Sequence, residues 1–354
     1  PHHSQAPQAH CRTQAVACAF SLGVARSTMS YRFHIAIWFV LIMIAVVAAF
    51  AFAWMNERPA IQPQFGITFS WKYAQDLGFA PEEMYAAMLD ELGVRRVRLP
   101  IYWSKVEPRD GEYQWEISDR LIQMSQDRGV LLTLVVGMKV PRWPECYIPA
   151  WTLGMSAQEQ QQATLAFIRA AVERYRDFSA VIRWQVENEP FFPYGECPTI
   201  TPEQFQERVD AVRQLDDRPI QVTVSGEMEP WQRSARAADI LGISMYRETW
   251  NDLFGYFVYP LTPDFYYLRA RLVKDDVPQV LVSELQAEPW FPAPISSRPL
   301  TSWYDSFTAE MFEHNLDFVR ESGLPEAYLW GAEWWYALKQ AGDDRLWKVA
   351  SGIF

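Results

Sequence analysis

Eight short runs rich in valine, isoleucine and leucine, separated by stretches of helical periodicity across residues 65–354, predict an α/β fold: a (β/α)8 TIM barrel. The runs alternate little between apolar and polar residues, as expected of parallel strands covered on both faces. One uninterrupted apolar stretch precedes them all and predicts a single N-terminal transmembrane helix.

Residues 1–32 read as a cytoplasmic leader, with Met29 a candidate true start. The apolar stretch then runs from Phe33 to Trp54 without a charged residue. At about 1.5 Å of rise per residue, a helix of that length crosses a bilayer core of about 30 Å. Arg12, Arg26 and Arg32 lie before it, so positive charge holds the N-terminus inside and places the remainder outside the cytoplasm. Ala49, Ala51 and Ala53 leave open the alternative of a cleaved signal peptide and a secreted domain. Residues 55–64 read as a linker and residues 65–354 as one barrel domain.

Within that domain the expected strands are Gly66 to Ser70, Arg95 to Tyr102, Val130 to Gly137, Ile182 to Glu187, Ile220 to Ser225, Leu241 to Tyr246, Gln279 to Glu284 and Ala327 to Gly331. Helices are expected over Pro81 to Leu92, Glu116 to Arg128, Ser156 to Arg176, Thr201 to Leu215 and Phe307 to Val319. Thr201-Pro202-Glu203 shows why: a capping hydroxyl, a proline suited to the first turn and an acidic residue facing the helix dipole. The long aromatic connection from Arg247 to Pro278 is expected to hold loop and helix. An open doubly wound sheet would need a glycine-rich phosphate turn after the first strand, and Ser70-Trp71-Lys72-Tyr73 is not one.

Composition narrows the chemistry. The chain has 354 residues and a formal net charge of -11, with no run of Lys and Arg, so nucleic acid is not an expected partner. Of five histidines, His2, His3, His10 and His34 lie at or before the apolar segment, which leaves only His314 to the barrel. This argues against histidine-based hydrolytic triads and histidine-built zinc sites, and acid-base chemistry must rest on carboxylates. No metal and no cofactor are expected, and the chain is expected to be a monomer. Sixteen Trp in a chain that is 15% aromatic exceed what a core requires, and flat rings suit the C–H faces of sugars. Cys11 and Cys18 lie in the leader. Cys146 and Cys197 fall on neighbouring loops after the third and fourth strands, either as a disulfide or as two buried thiols.

In such a barrel the reacting groups stand at the C-terminal ends of strands. The second strand delivers Arg98, the fourth Asn188 and Glu189, the sixth Tyr246, the seventh Glu284 and the eighth Trp330. Two carboxylates from well-separated strands suit double displacement at a sugar carbon, one protonating the leaving oxygen and one attacking, with carboxyl groups about 5 to 5.5 Å apart. Glu187 stands two residues before Glu189 and is the competing acid if the register differs. Glu227, Glu288 and Trp290 lie on loops beyond strands five and seven as candidate substrate contacts, with Trp143 beyond strand three.

Over Gly66 to Tyr336 the sequence resembles glycoside hydrolase clan A, the retaining barrel glycosidases with Asn-Glu on strand four and Glu on strand seven. The resemblance implies Glu189 as acid/base and Glu284 as nucleophile. It implies further that Asn188 holds the 2-hydroxyl, that Arg98 and Tyr246 orient the nucleophile, and that Trp330 is the sugar platform, with Trp334 and Trp335 as alternatives. Family 5 cellulases and mannanases usually carry histidines near strand three and on strand six, where this chain has Val136-Gly137-Met138-Lys139 and Ser244. The Trp184-Gln185-Val186-Glu187-Asn188-Glu189 run is also similar to β-galactosidase-type members. The expected activity is retaining hydrolysis of a β-linked oligo- or polysaccharide. Transglycosylation at the same site, or a carbohydrate-binding barrel without catalysis, are the alternatives.

Overall fold

The computed structural model describes residues 33–51 and 61–354, which fall into two separate units. The first contains a helix, Phe33–Ala51, of 19 residues and mean hydropathy 2.7, long and apolar enough to cross a membrane. The leader with its cysteines and arginines, the last residues of the expected span and most of the linker lie outside the described residues.

The second unit is a closed barrel. Its strands are β1 (Gln64–Thr68), β2 (Arg96–Pro100), β3 (Leu131–Val136), β4 (Val181–Asn188), β5 (Ile220–Val224), β6 (Ile240–Met245), β9 (Gln279–Gln286) and β10 (Glu326–Trp330). They close in the order β1-β10-β9-β6-β5-β4-β3-β2, every neighbouring pair parallel. Two further strands, β7 (Glu248–Asn251) and β8 (Gly255–Val258), form an antiparallel hairpin outside the barrel. All eight expected barrel strands are present. The first takes in Gln64 from the linker and ends at Thr68, short of the expected Ser70, which instead caps the helix Trp71–Asp76, its hydroxyl accepting from the Tyr73 N–H.

The helices that cover the barrel have the ends their sequences encode. Ser156 and Glu159 form a reciprocal capping box for Ala157–Tyr175, and Thr201 and Gln204 another for Pro202–Arg213. Inside the barrel the packing is close and partly polar. Gly242 faces a layer containing Thr223 and Ser283, and a Cβ there would meet both hydroxyls at 2.8 Å.

Three departures from period-two strand geometry position the site. Between Gln185 and Asn188, β4 carries one residue more than β5, and between Ile243 and Ser244 the register against β9 slips by one. Each is a β-bulge, which re-aims the side chains after it. The third is the hairpin β7–β8, which the sequence reading took for plain loop before the helix Pro263–Leu272.

Candidate active site

Glu189 follows β4 and Glu284 lies near the end of β9, and both line one cavity of about 990 Å³ at the C-terminal end of the barrel. Arg98, fully buried on β2, organises the floor. Its Nη1 donates to Glu284 Oε1 at 2.9 Å, its Nη2 to Asn188 Oδ1 at 2.6 Å and its Nε to Gln185 Oε1 at 2.7 Å. Tyr246, just past β6, donates its hydroxyl to Glu284 Oε2 at 3.1 Å. Each Glu284 oxygen therefore has a donor.

Glu189 is surrounded differently. It is nearly buried, and its nearest side-chain donor is the Ser244 hydroxyl, 2.9 Å from Oε1. Burial, then the charges of Glu284, Glu145 and Glu229, push its carboxyl well above the ordinary carboxylate range. Two carboxyls in one cavity thus differ as an acid and a nucleophile must: one carries two strong donors, the other is desolvated beside negative charge.

Glu187 is not in the cavity. Its oxygens accept from the Met138 and Lys139 N–H groups at 3.1 and 2.6 Å and from Arg208 at 2.7 Å, which makes it the anchor of the loop after β3. Gly137, at φ 133°, gives it room, since a Cβ there would stand 2.4 Å from the Glu187 carboxyl. The reading of Glu187 as competing acid fails because the β4 bulge breaks strand alternation.

Asn188 is already engaged at both ends, by Arg98 at Oδ1 and through Nδ2 by Glu145 Oε2 at 3.1 Å. Trp330 lines the cavity with Arg142 over its ring, 4.3 Å from the centroid, whereas Trp334 and Trp335 are wholly buried and cannot serve as platforms. Glu288 also lines the cavity but is paired with Arg142, which reaches Glu333 at 2.7 Å. Trp143 and Trp290 stand on the walls. Glu227 accepts from the Tyr246 N–H at 3.0 Å and from the Tyr266 hydroxyl at 2.6 Å, and burial pushes it up to about 7.

Ser244 and Glu145, like Arg142, escaped the sequence reading. Ser244 was noted only as a missing histidine, yet it links the Gly226 N–H to Glu189. Glu145 lies in the cavity wall, where burial and then the charge of Glu284 push its carboxyl up to about 8. The signal for it was the adjacent Cys146, which is bonded to Cys197 with Cα atoms 5.2 Å apart, so that the loops after β3 and β4 are tied beside the acids. Among the described residues no group of His, Cys, Asp and Glu could hold a metal ion.

Residues 100–209, from the end of β2 into the helix after β4, match the family model of glycosyl hydrolase family 10. This stretch contains Glu145, Asn188 and Glu189 but not Glu284. The chain is similar to β-galactosidase BgaA of Clostridium cellulovorans, 24% identical over 265 residues covering 69% of this chain and 38% of that protein. Over 141 residues it is 28% identical to β-galactosidase bgaB of Geobacillus kaustophilus, covering 33% of this chain and 20% of that protein. The chain thus spans less than half the length of these relatives. In fold it is similar to a β-galactosidase from Bacillus circulans sp. alkalophilus, with a TM-score of 0.56, 11% identity, and coverage of 84% of this chain and 56% of the other. The family match and the closed barrel together support clan A of the (β/α)8 glycosidases for this chain.

Proposed function

We propose that this protein is a retaining glycoside hydrolase acting on a β-linked glycoside, with Glu284 as nucleophile and Glu189 as acid/base. The observation that carries the reading is the contrast between two carboxyls in one cavity. Glu284 is held by Arg98 and Tyr246, and Glu189 is buried so that it keeps its proton. In the first step Glu284 attacks the anomeric carbon and the bond to the leaving oxygen breaks as Glu189 gives that oxygen its proton. In the second, Glu189 takes a proton from water, whose oxygen displaces Glu284 and releases the sugar with its configuration retained. Asn188, held by Arg98, offers its amide to the sugar, and Trp330 underlies it. The apolar helix Phe33–Ala51 anchors the protein, or directs its export, with the barrel outside the cytoplasm.

The test is turnover of a panel of aryl β-glycosides by the wild type, Glu284→Ala and Glu189→Ala. Loss of the acid lowers turnover on the order of 10²- to 10⁴-fold. Azide, attacking in place of the missing group, yields an α-glycosyl azide with Glu284→Ala and a β-glycosyl azide with Glu189→Ala. Equal turnover by Glu284→Ala and the wild type, or the reverse pairing of azide products, contradicts the assignment.

A further inference from the structure

Exposed apolar surface on the barrel is concentrated at the mouth of the cavity. Among the described residues of that unit, eleven large apolar side chains are exposed, of which Leu253, Phe254, Tyr256, Phe257 and Val258 belong to the hairpin β7–β8. Two more, Trp143 and Met228, line the cavity, as do Phe254 and Phe257 themselves. Leu253 and Phe254 are 80% and 75% exposed, an arrangement that monomeric proteins seldom leave without a use.

The hairpin is fixed to the site. The Gln286 side chain, two residues beyond Glu284, accepts from the Arg247 and Glu248 N–H groups, both at 2.9 Å, and donates to the Glu248 carbonyl at 2.8 Å. The Tyr256 hydroxyl donates to the Trp290 carbonyl at 3.2 Å, and Tyr256 packs edge-on to Trp250 with centroids 4.9 Å apart. The apolar rim is therefore continuous with the strand that carries Glu284.

Part of this rim is purely hydrocarbon: Leu253, Phe254, Phe257, Val258 and Met228 carry no polar handle, unlike the Trp143 and Tyr256 rings beside them. Charge further limits the occupant: Glu145, Glu189, Glu227, Glu284 and Glu288 line the cavity against Lys72 and Arg142, which disfavours an anionic headgroup.

We propose that the hairpin β7–β8 forms a binding subsite for a hydrocarbon aglycone, so that the substrate is a neutral amphiphile: a sugar β-linked to an apolar chain. The inference rests on the proposed glycosidase reading for the cleavage of that link, and on the rim alone for its binding.

The experiment compares methyl and n-hexyl β-D-glucopyranosides, and the galactopyranoside pair, on the full chain in phosphatidylcholine nanodiscs with free ligand measured. Affinity is read by calorimetry and kcat/KM by sugar release. Burial of even two or three of the added methylenes gives the hexyl compound an advantage of at least about tenfold. Phe254→Ser and Phe257→Ser, both surface substitutions, should reduce that ratio to about one. Equal affinity of the wild type for methyl and hexyl compounds overturns the proposal, as does a preference that both variants keep. A change from dimer to monomer in the variants, with the hexyl preference intact, assigns the rim to a second copy of the chain and also overturns it. Tighter hexyl binding without sugar release upholds the subsite and leaves cleavage to be decided by the aryl glycoside panel and its Glu284→Ala control.

Discussion

Glu145→Gln offers a direct measure of how much stability the site forgoes. Glu145 is 5% exposed and accepts one side-chain hydrogen bond, from Asn188. Its carboxyl is pushed up from the ordinary 4.5 to about 8, first by burial and then by the charge of Glu284. Because the proton is held more tightly in the fold than in the unfolded chain, stability is full below about pH 4.5 and is lost as pH rises through about 8. At 1.36 kcal/mol per tenfold change in proton affinity, the loss is about 5 kcal/mol once Glu145 is ionised. Glutamine has the shape of the protonated acid and cannot ionise, so the variant escapes that loss. The assay is urea unfolding followed by tryptophan fluorescence at pH 5, 7 and 9. Wild type and variant should agree within about 1 kcal/mol at pH 5, and the variant should be the more stable by several kcal/mol at pH 9. Parallel pH profiles would show that Glu145 ionises as readily in the fold as outside it, and the electrostatic account of the site would fall with that result.

Other consequences follow from the same contacts. Ser244→Ala removes a donor to the ionised form of Glu189, so the alkaline limb of kcat/KM should move to higher pH; an unmoved or lowered limb refutes the role given to the serine. The same change leaves the Gly226 N–H without its acceptor, at a cost of about 1 to 3 kcal/mol in unfolding free energy. Cys146→Ser with Cys197→Ser opens a link between residues 51 apart, worth about 4 kcal/mol on the chain-entropy account, and should lower the melting temperature by roughly 6 °C. A reductant should reproduce the shift in the wild type and leave the double variant unchanged.

How much of this was legible in the sequence depended on the range of the interaction. The eight strands were readable because burial on both faces leaves a continuous apolar run, and the helix starts because caps are local, as at Ser156 and Thr201. Glu189 and Glu284 were readable because each ends such a run. The contacts that separate their chemistry join residues far apart in the chain, such as Arg98 with Glu284 or Ser244 with Glu189. No local pattern encodes them. The hairpin β7–β8 was missed for a different reason: its residues are largely exposed and its strands are short, so the alternation that marks a covered strand is absent.

The β4 bulge explains why one short segment can hold three polar residues with three destinations. Strict alternation would aim Glu187 and Glu189 the same way and Asn188 opposite to both. Instead Gln185 and Asn188, three apart, both meet Arg98, while Glu187 turns to Arg208 and the loop after β3, and Glu189 to Ser244. The backbone reaches this by placing Glu187 and Glu189 at φ 58° and 45°, in the left-handed region that side chains disfavour. Such strain persists only where the surroundings hold it, and here Arg208, the Met138 and Lys139 N–H groups and the Lys139 ammonium on the Glu189 carbonyl at 2.9 Å do so. Glu187, excluded from the cavity, is thereby part of what aims the Glu189 carboxyl that enters it.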